Sequence, residues 1–371
     1  MEEKKYKVNS VSEFIEALKS IKTEFSDLKI EWPQNEKNEI EEFFSKVIAK
    51  SNKDFEMYYR GEPKDYEASS GTPGIARGGW LSDNKESELM RECERRLPNE
   101  FAECKSTFER LVKMQHYGIP TRLLDITLDP LVALFFALYK DPKNHDDLSK
   151  EDAVVLVYKV PKEKICNYCS DKVSVLSNIS VYSYDDLEIR SIIAKNMKKN
   201  QKNQNLPKNF FENLIDRILK WDLKMFDDTL IKKFNKDKSI KHLLHEIKSE
   251  KPHFSDDINP NHLYRVFAVH PLLDNPRIKA QQGAFLLYGL NGDRHKLAEL
   301  KDSEIIFKKI FIPYDKKEDL LKELILLGKT IDNIYPDWDG VSDFFKSFYN
   351  KDDFRDYYKS KSSEDSGVSK K

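Results

Sequence analysis

Residues 115–140 read QHYGIPTRLLDITLDPLVALFFALYK, and the fold turns on how this stretch divides. Asp129 followed by Pro130 is a helix start. An aspartate side chain can accept from the free N–H groups of a first turn, and proline fits the first helical position, where no donor is needed. From 131 to 140 the helix is apolar on every face, which suits a helix packed on all sides. The stretch therefore predicts a central buried helix. Its polar residues fall into two sets. Asp125, Thr127 and Asp129 are expected to serve the helix start, with Arg122 three residues from Asp125. Gln115, His116 and Arg122 are expected to face a ligand.

On either side of it, FEMYYRGE (55–62) reads as a strand, as do AVVLVYKV (153–160), YRVFAVH (264–270), GAFLLYGL (283–290) and IIFKKIFI (305–312). Ser10 and Glu13 form a capping box ahead of Phe14, Ile15, Leu18 and Ile21 at helical spacing. EIEEFFSKVIAK near residue 40, KESELMRECERRL, FAECKSTFERLVKMQ and DLLKELILLG (319–328) also read as helices. Five glycines and two prolines between Gly61 and Asp83 mark a long irregular loop of the kind that covers a site. The order predicts an α+β fold: a mixed or antiparallel central sheet around the buried helix.

Residues 189–252 hold 16 Lys and Arg against 8 Asp and Glu. Phe211, Leu214, Ile215, Ile218 and Leu219 repeat at helical spacing, so this region is expected to be a helical insertion with one buried face and a basic outer face. The basic face is either a solvated surface or one that meets nucleic acid or a partner. One domain over 1–350 and a disordered Lys/Ser-rich tail over 351–371 complete the expected organisation.

The net charge of −1 excludes a globally basic nucleic-acid binder, and 39% hydrophobic with 34% charged residues describes a soluble globular chain. No apolar stretch reaches membrane-spanning length and the N-terminus lacks a signal-peptide core, so a cytoplasmic protein with no membrane partner is expected. Cys93, Cys104, Cys166 and Cys169 are too few for a disulfide scaffold. Cys166 and Cys169 have no second pair to complete a zinc site, so no metal is expected.

Four places could carry chemistry. Arg60 ends a strand before Gly61, where a guanidinium fork can meet a phosphate and the bare backbone admits a ligand. His116 precedes Gly118 and Pro120, and a neutral imidazole both donates and accepts. Arg122 is the third. Gln281 and Gln282 enter a strand at Gly283, and an amide orients a hydroxyl without taking its proton. Walker A, GxGxxG, HExxH and GxSxG motifs are missing.

Tyr59-Arg60-Gly61, QHYGIPTRLLDITLDPLVALFFA, RIKAQQGAF and IYPDWDG (334–340) occur in the order of the FRG domain, which the chain resembles from about residue 11 to 348. The resemblance implies a bacterial or phage-associated protein near defence genes. Its layout is similar in outline to ADP-ribosyltransferase-like domains: a first-strand Arg, a central polar motif and a last-strand Gln or Glu. On that basis NAD is the implied cofactor, with Arg60, Gly61, Gln115 and Arg122 binding it and His116, Gln281 and Gln282 catalytic. The implied function is ADP-ribose transfer to a macromolecular target by an anti-phage or toxin-type effector, triggered by a phage protein. Two rivals stand beside it. One is a non-catalytic sensor of a phage protein or nucleotide, favoured by an amide where a glutamate is usual. The other is a nucleic-acid enzyme using the basic insertion.

Overall fold

The computed structural model describes residues 6–28, 54–81, 85–139, 150–183, 189–198, 228–338, 340–342 and 345. Eight strands form one sheet in the order β1-β10-β4-β2-β3-β7-β6-β5. They are β1 Tyr6–Lys7, β2 Phe55–Glu62, β3 Leu123–Thr127, β4 Ala153–Pro161, β5 Ile165–Asn167, β6 Val266–His270, β7 Gly283–Tyr288 and β10 Ile306–Ile312. The inner strands β10 to β6 pair antiparallel, while the short edges β1 and β5 pair parallel. A separate pair, β8 Leu290–Asn291 and β9 Asp293–Leu297, forms a small hairpin. The α+β expectation with a mixed sheet is met.

Four helices shape the sheet's covered face and its cleft: α1 Val11–Asp27, α2 Lys85–Arg96, α3 Thr107–His116 and α4 Pro130–Leu138. Helix α4 is the predicted central helix. Asp129 accepts from the N–H groups of Leu131 and Val132, and Pro130 takes the first helical position. Val132, Leu134, Phe135 and Leu138 are all buried, each contributing roughly 1.5–3 kcal/mol by leaving water. Helix α3 begins later than its sequence suggests, because Ser106 accepts from the Glu109 N–H and so caps it at Thr107.

Helices cover one face of the sheet in two groups. Over β10, β4 and β2, helices α1 and α4 and Lys317–Leu326 pack on Tyr59, Val155, Val157 and Ile310. Over β3, β7 and β6, helix α3 and the helices of the insertion pack on Leu123, Phe285, Leu287 and Phe267. Tyr58, Leu124, Ile126 and Leu156 belong to a third cluster on the opposite face.

The described parts of the insertion, Ile189–Lys198, Asp228–Phe234 and Lys238–Glu250, are helical. Ile192, Ile193, Phe234, Leu243 and Ile247 turn their buried face into the second core group. The periodic run at Phe211–Leu219, the helix near residue 40 and the tail from 351 lie outside the described residues. Among the described residues no helix is long and apolar enough to cross a membrane.

Candidate active site at the parting of two strands

Strand β2 is hydrogen-bonded to β4 along its whole length, from Phe55↔Pro161 to Glu62↔Val154. Its other edge pairs with β3 at one position only, Tyr59↔Thr127. Beyond that pair the strands part, and Arg60 spans the gap. Its Nη1 donates to the backbone carbonyl of Asp125 at 2.9 Å, and its Nε donates to Glu62 Oε1 at 3.1 Å. Burial alone would lower the guanidinium's pKa, but Asp125 and Glu62 outweigh it and raise it. Nη2 keeps its hydrogens free of any partner among the described residues.

Glu62 is held in turn by the Gly71 N–H at 3.1 Å, so the long glycine-bearing loop is anchored beneath the arginine. Glu62 Oε2 and the Tyr158 hydroxyl are buried there without a hydrogen-bond partner among the described residues. Gly61 is required by packing. A Cβ at that position would come within 1.9 Å of the Ala133 carbonyl oxygen and 2.6 Å of the Ala137 N of helix α4. Gly61 lines the cleft, and its missing side chain makes room for the helix.

Helix α3 supplies the opposite wall. Gly118, with φ 75°, ends the helix in the left-handed conformation, and the Ile119 N–H bonds to the Met114 carbonyl. This leaves Gln115 and His116 on the final turn. Gln115 Nε2 donates to Asp125 Oδ2 at 2.7 Å, and Thr121 Oγ1 donates to Gln115 Oε1 at 2.7 Å. The amide's orientation is fixed from both ends, and one carboxylate oxygen of Asp125 remains unengaged among the described residues. His116 is half-buried with no hydrogen bond to its ring among the described residues; its ring meets Tyr117 edge-on at 5.0 Å. Burial, with Arg277 nearby, lowers its pKa, so the neutral form prevails at neutral pH.

These groups line a cavity of about 390 Å³, within the range of small-molecule sites. Arg60, Gly61, Gln115, His116 and Gln281 of the expected residues lie in its wall. Arg122 and Gln282 do not. Arg122 is fully buried and donates to Glu86 Oε1 from Nε (2.8 Å), to Glu86 Oε2 from Nη2, and to the Tyr288 carbonyl from Nη1 (2.9 Å). Every arm of its fork is engaged inside the core, so it cannot face a ligand. Gln282 is exposed, with φ 46°, and its carbonyl accepts from the Leu128 N–H.

Gln281 sits in the turn after the helix Pro276–Ala280 and ahead of β7, which is an interior strand. Its Nε2 donates to the Ile334 carbonyl at 3.1 Å, and its own carbonyl accepts from Thr127 Oγ1 at 2.6 Å. Thr127 also accepts from the Asp129 N–H, so it serves the start of α4 as expected.

Asp125, Arg277 and Tyr335 also line the cavity, and sequence reasoning assigns them no ligand role. Asp125 does not serve the helix start; it is exposed on β3, opposite Phe285. Arg277 forms an ion pair with Asp337 and lies 5.0 Å from the Tyr335 ring centroid, which accounts for the IYPDWDG motif. That ion pair holds the Asp337 pKa down. Among the described residues no group of His, Cys, Asp and Glu could hold a metal ion, and all four cysteines are free.

No curated protein and no solved structure matches the chain. The family model of the FRG domain matches residues 55–146, which contain Tyr59-Arg60-Gly61 and the whole stretch from Gln115 to Lys140. RIKAQQGAF and IYPDWDG lie beyond the matched segment, although the fold brings both to the same cleft. The arginine at the parting strands and the α3 wall that faces it thus both fall within residues 55–146, the segment that is similar to the FRG domain.

Proposed function

We propose that this cleft binds a nucleotide, NAD in particular, and that the protein transfers ADP-ribose to a macromolecule as a toxin-type or anti-phage effector. The observation that carries the reading is the convergence at the parting of β2 and β3. An arginine whose Nη2 and an imidazole whose ring nitrogens have no hydrogen-bond partner among the described residues meet a carboxylate and two amides in one cavity.

The residues fit such a ligand. Arg60, held rigid by Glu62 and the Asp125 carbonyl, offers Nη2 to a diphosphate oxygen. Tyr335 and Phe136 line the cavity and offer aromatic surface to a ring. Neutral His116 donates to or accepts from a sugar hydroxyl. In such a transfer NAD supplies the ADP-ribosyl group and nicotinamide departs. The protein's part is to hold the ribose and to accept the proton of the incoming acceptor group. Gln281 cannot take that proton, whereas Asp125 can. The carboxylate missing from the glutamine position is therefore supplied from the neighbouring strand.

A sensor without turnover is the second reading, favoured by the Gln281 amide being spent on the Ile334 carbonyl. Incubating the protein with NAD labelled in its adenylate part and cell lysate separates the two. Label on protein or nucleic acid that disappears in the Arg60→Ala variant supports transfer. NAD binding with neither labelling nor NAD loss supports the sensor, and no binding at all overturns both.

A further inference from the structure

Arg60 and Gln115 line a second cavity of about 470 Å³, whose other walls come from the long glycine-bearing loop and the turn after α3. Among the described residues its charged lining consists of Arg60 and Arg77, with no carboxylate. Arg77 is exposed, and its guanidinium makes no ion pair or hydrogen bond among the described residues. Trp80, 36% exposed, stands on the same loop, and Ile119, Pro120 and Leu124 add apolar surface. The first cavity differs. It mixes Arg60 and Arg277 with Asp125 and is lined by the hydrogen-bonding groups His116 and Gln281.

The loop's backbone accounts for this wall. Gly78 and Gly79 take φ values of 79° and 76°, a conformation that side chains other than glycine rarely tolerate, so the chain reverses just ahead of Trp80. A Cβ at Gly78 would lie 3.3 Å from the indole Nε1, so the bare glycine lets the ring lie close to the turn. Upstream, the Ile75 N–H bonds to the Thr121 carbonyl, tying the loop to the segment beyond α3.

The geometry points to a two-lobed ligand site in which the second lobe takes the adenosine-phosphate half of a dinucleotide. Arg60 and Arg77 bind its phosphates and Trp80 stacks on the base. Resting on the proposed NAD binding, this assigns the nicotinamide-ribose half to the first lobe and the diphosphate to the junction at Arg60. Arg77, which has no ion pair among the described residues, and the free Nη2 of Arg60, whose Nε is paired with Glu62, together suit a doubly charged diphosphate. An indole face stacks on a base with an energy of about 1–3 kcal/mol.

Titrations of NAD, ADP-ribose, ADP and nicotinamide mononucleotide into the unmodified protein, Arg77→Ala and Trp80→Ala test the assignment. Both replaced side chains are exposed, and thermal unfolding checks that each variant keeps its fold. Weakening of about tenfold or more for NAD, ADP-ribose and ADP, with nicotinamide mononucleotide unaffected, is the expected result. NAD binding equally well to all three proteins overturns the second lobe and leaves the NAD reading standing. Equal weakening of the mononucleotide also overturns it, because the lobe would then not discriminate the two halves. Failure of the unmodified protein to bind any of the four ligands removes both the lobe and the reading beneath it.

Discussion

Arg60 donates from Nη1 to the backbone carbonyl of Asp125 at 2.9 Å, across the gap where β2 and β3 have separated. A carbonyl that would otherwise pair with a neighbouring strand is satisfied by a side chain. The sheet can therefore open without leaving that group unpaired. The opening places the guanidinium of β2 and the carboxylate of β3 in one cleft.

Gly61→Ala will destabilise the fold by roughly 1–3 kcal/mol or more, because its methyl group meets the backbone of α4. Urea denaturation measures this as a lowered midpoint. A midpoint equal to that of the unmodified protein would show that the helix does not lie where it is described.

Arg122→Ala will cost roughly 3–5 kcal/mol, because Glu86 is left as a buried charge with no counterion. Replacing both residues, Arg122→Met with Glu86→Leu, will recover much of that loss. If the folded fraction of the single variant lost NAD binding with little change in stability, Arg122 would be a ligand residue after all.

Arg122 marks the limit of what its neighbourhood in sequence reveals. TRLLDIT reads as a polar approach to a helix, with Arg122 and Asp125 close enough to pair. Asp125 lies within β3, whereas Arg122 sits in the bend just before it and turns its fork into the core toward Glu86, so the two do not pair. The alternation of Leu124 and Ile126 with Asp125 and Thr127 is a legible sign, masked by the adjoining Leu123 and the strong helix signal downstream. Asp129 and Pro130 are legible because capping is local chemistry. Strand β2 is legible from its aromatic run, whereas the parting of β2 from β3 depends on a contact between residues 60 and 125. The pairing of Arg277 with Asp337 is equally non-local, and each residue by itself reads as surface charge.

His116 will titrate below the usual histidine value of about 6.5, because burial and Arg277 disfavour its charged form. Below that value the unfolded chain takes up a proton that the folded chain resists. This residue's contribution therefore makes stability fall as pH drops from about 6.5 towards the folded pKa. Carbon-bound ring proton shifts followed by NMR, with His116→Gln to assign the resonance, read this directly. A folded-state value above 6.5 would contradict the described surroundings.

Asp125→Asn preserves the shape of the side chain and removes the proton acceptor. NAD affinity should change no more than a few-fold, while incorporation of label into the acceptor falls on the order of a hundredfold. Unchanged incorporation would exclude Asp125 as the base.

Whether the Arg60 fork grips the nucleotide is decided by calorimetric titration of NAD into the unmodified protein and into Arg60→Lys. Lysine keeps the positive charge but lacks the planar fork that bonds to Glu62 and the Asp125 carbonyl while offering a third arm to ligand. The expected result is saturable binding by the unmodified protein and a loss of about tenfold or more in the folded variant. Equal affinity in both proteins, or no binding by the unmodified one, would show that Arg60 does not hold NAD in this cleft.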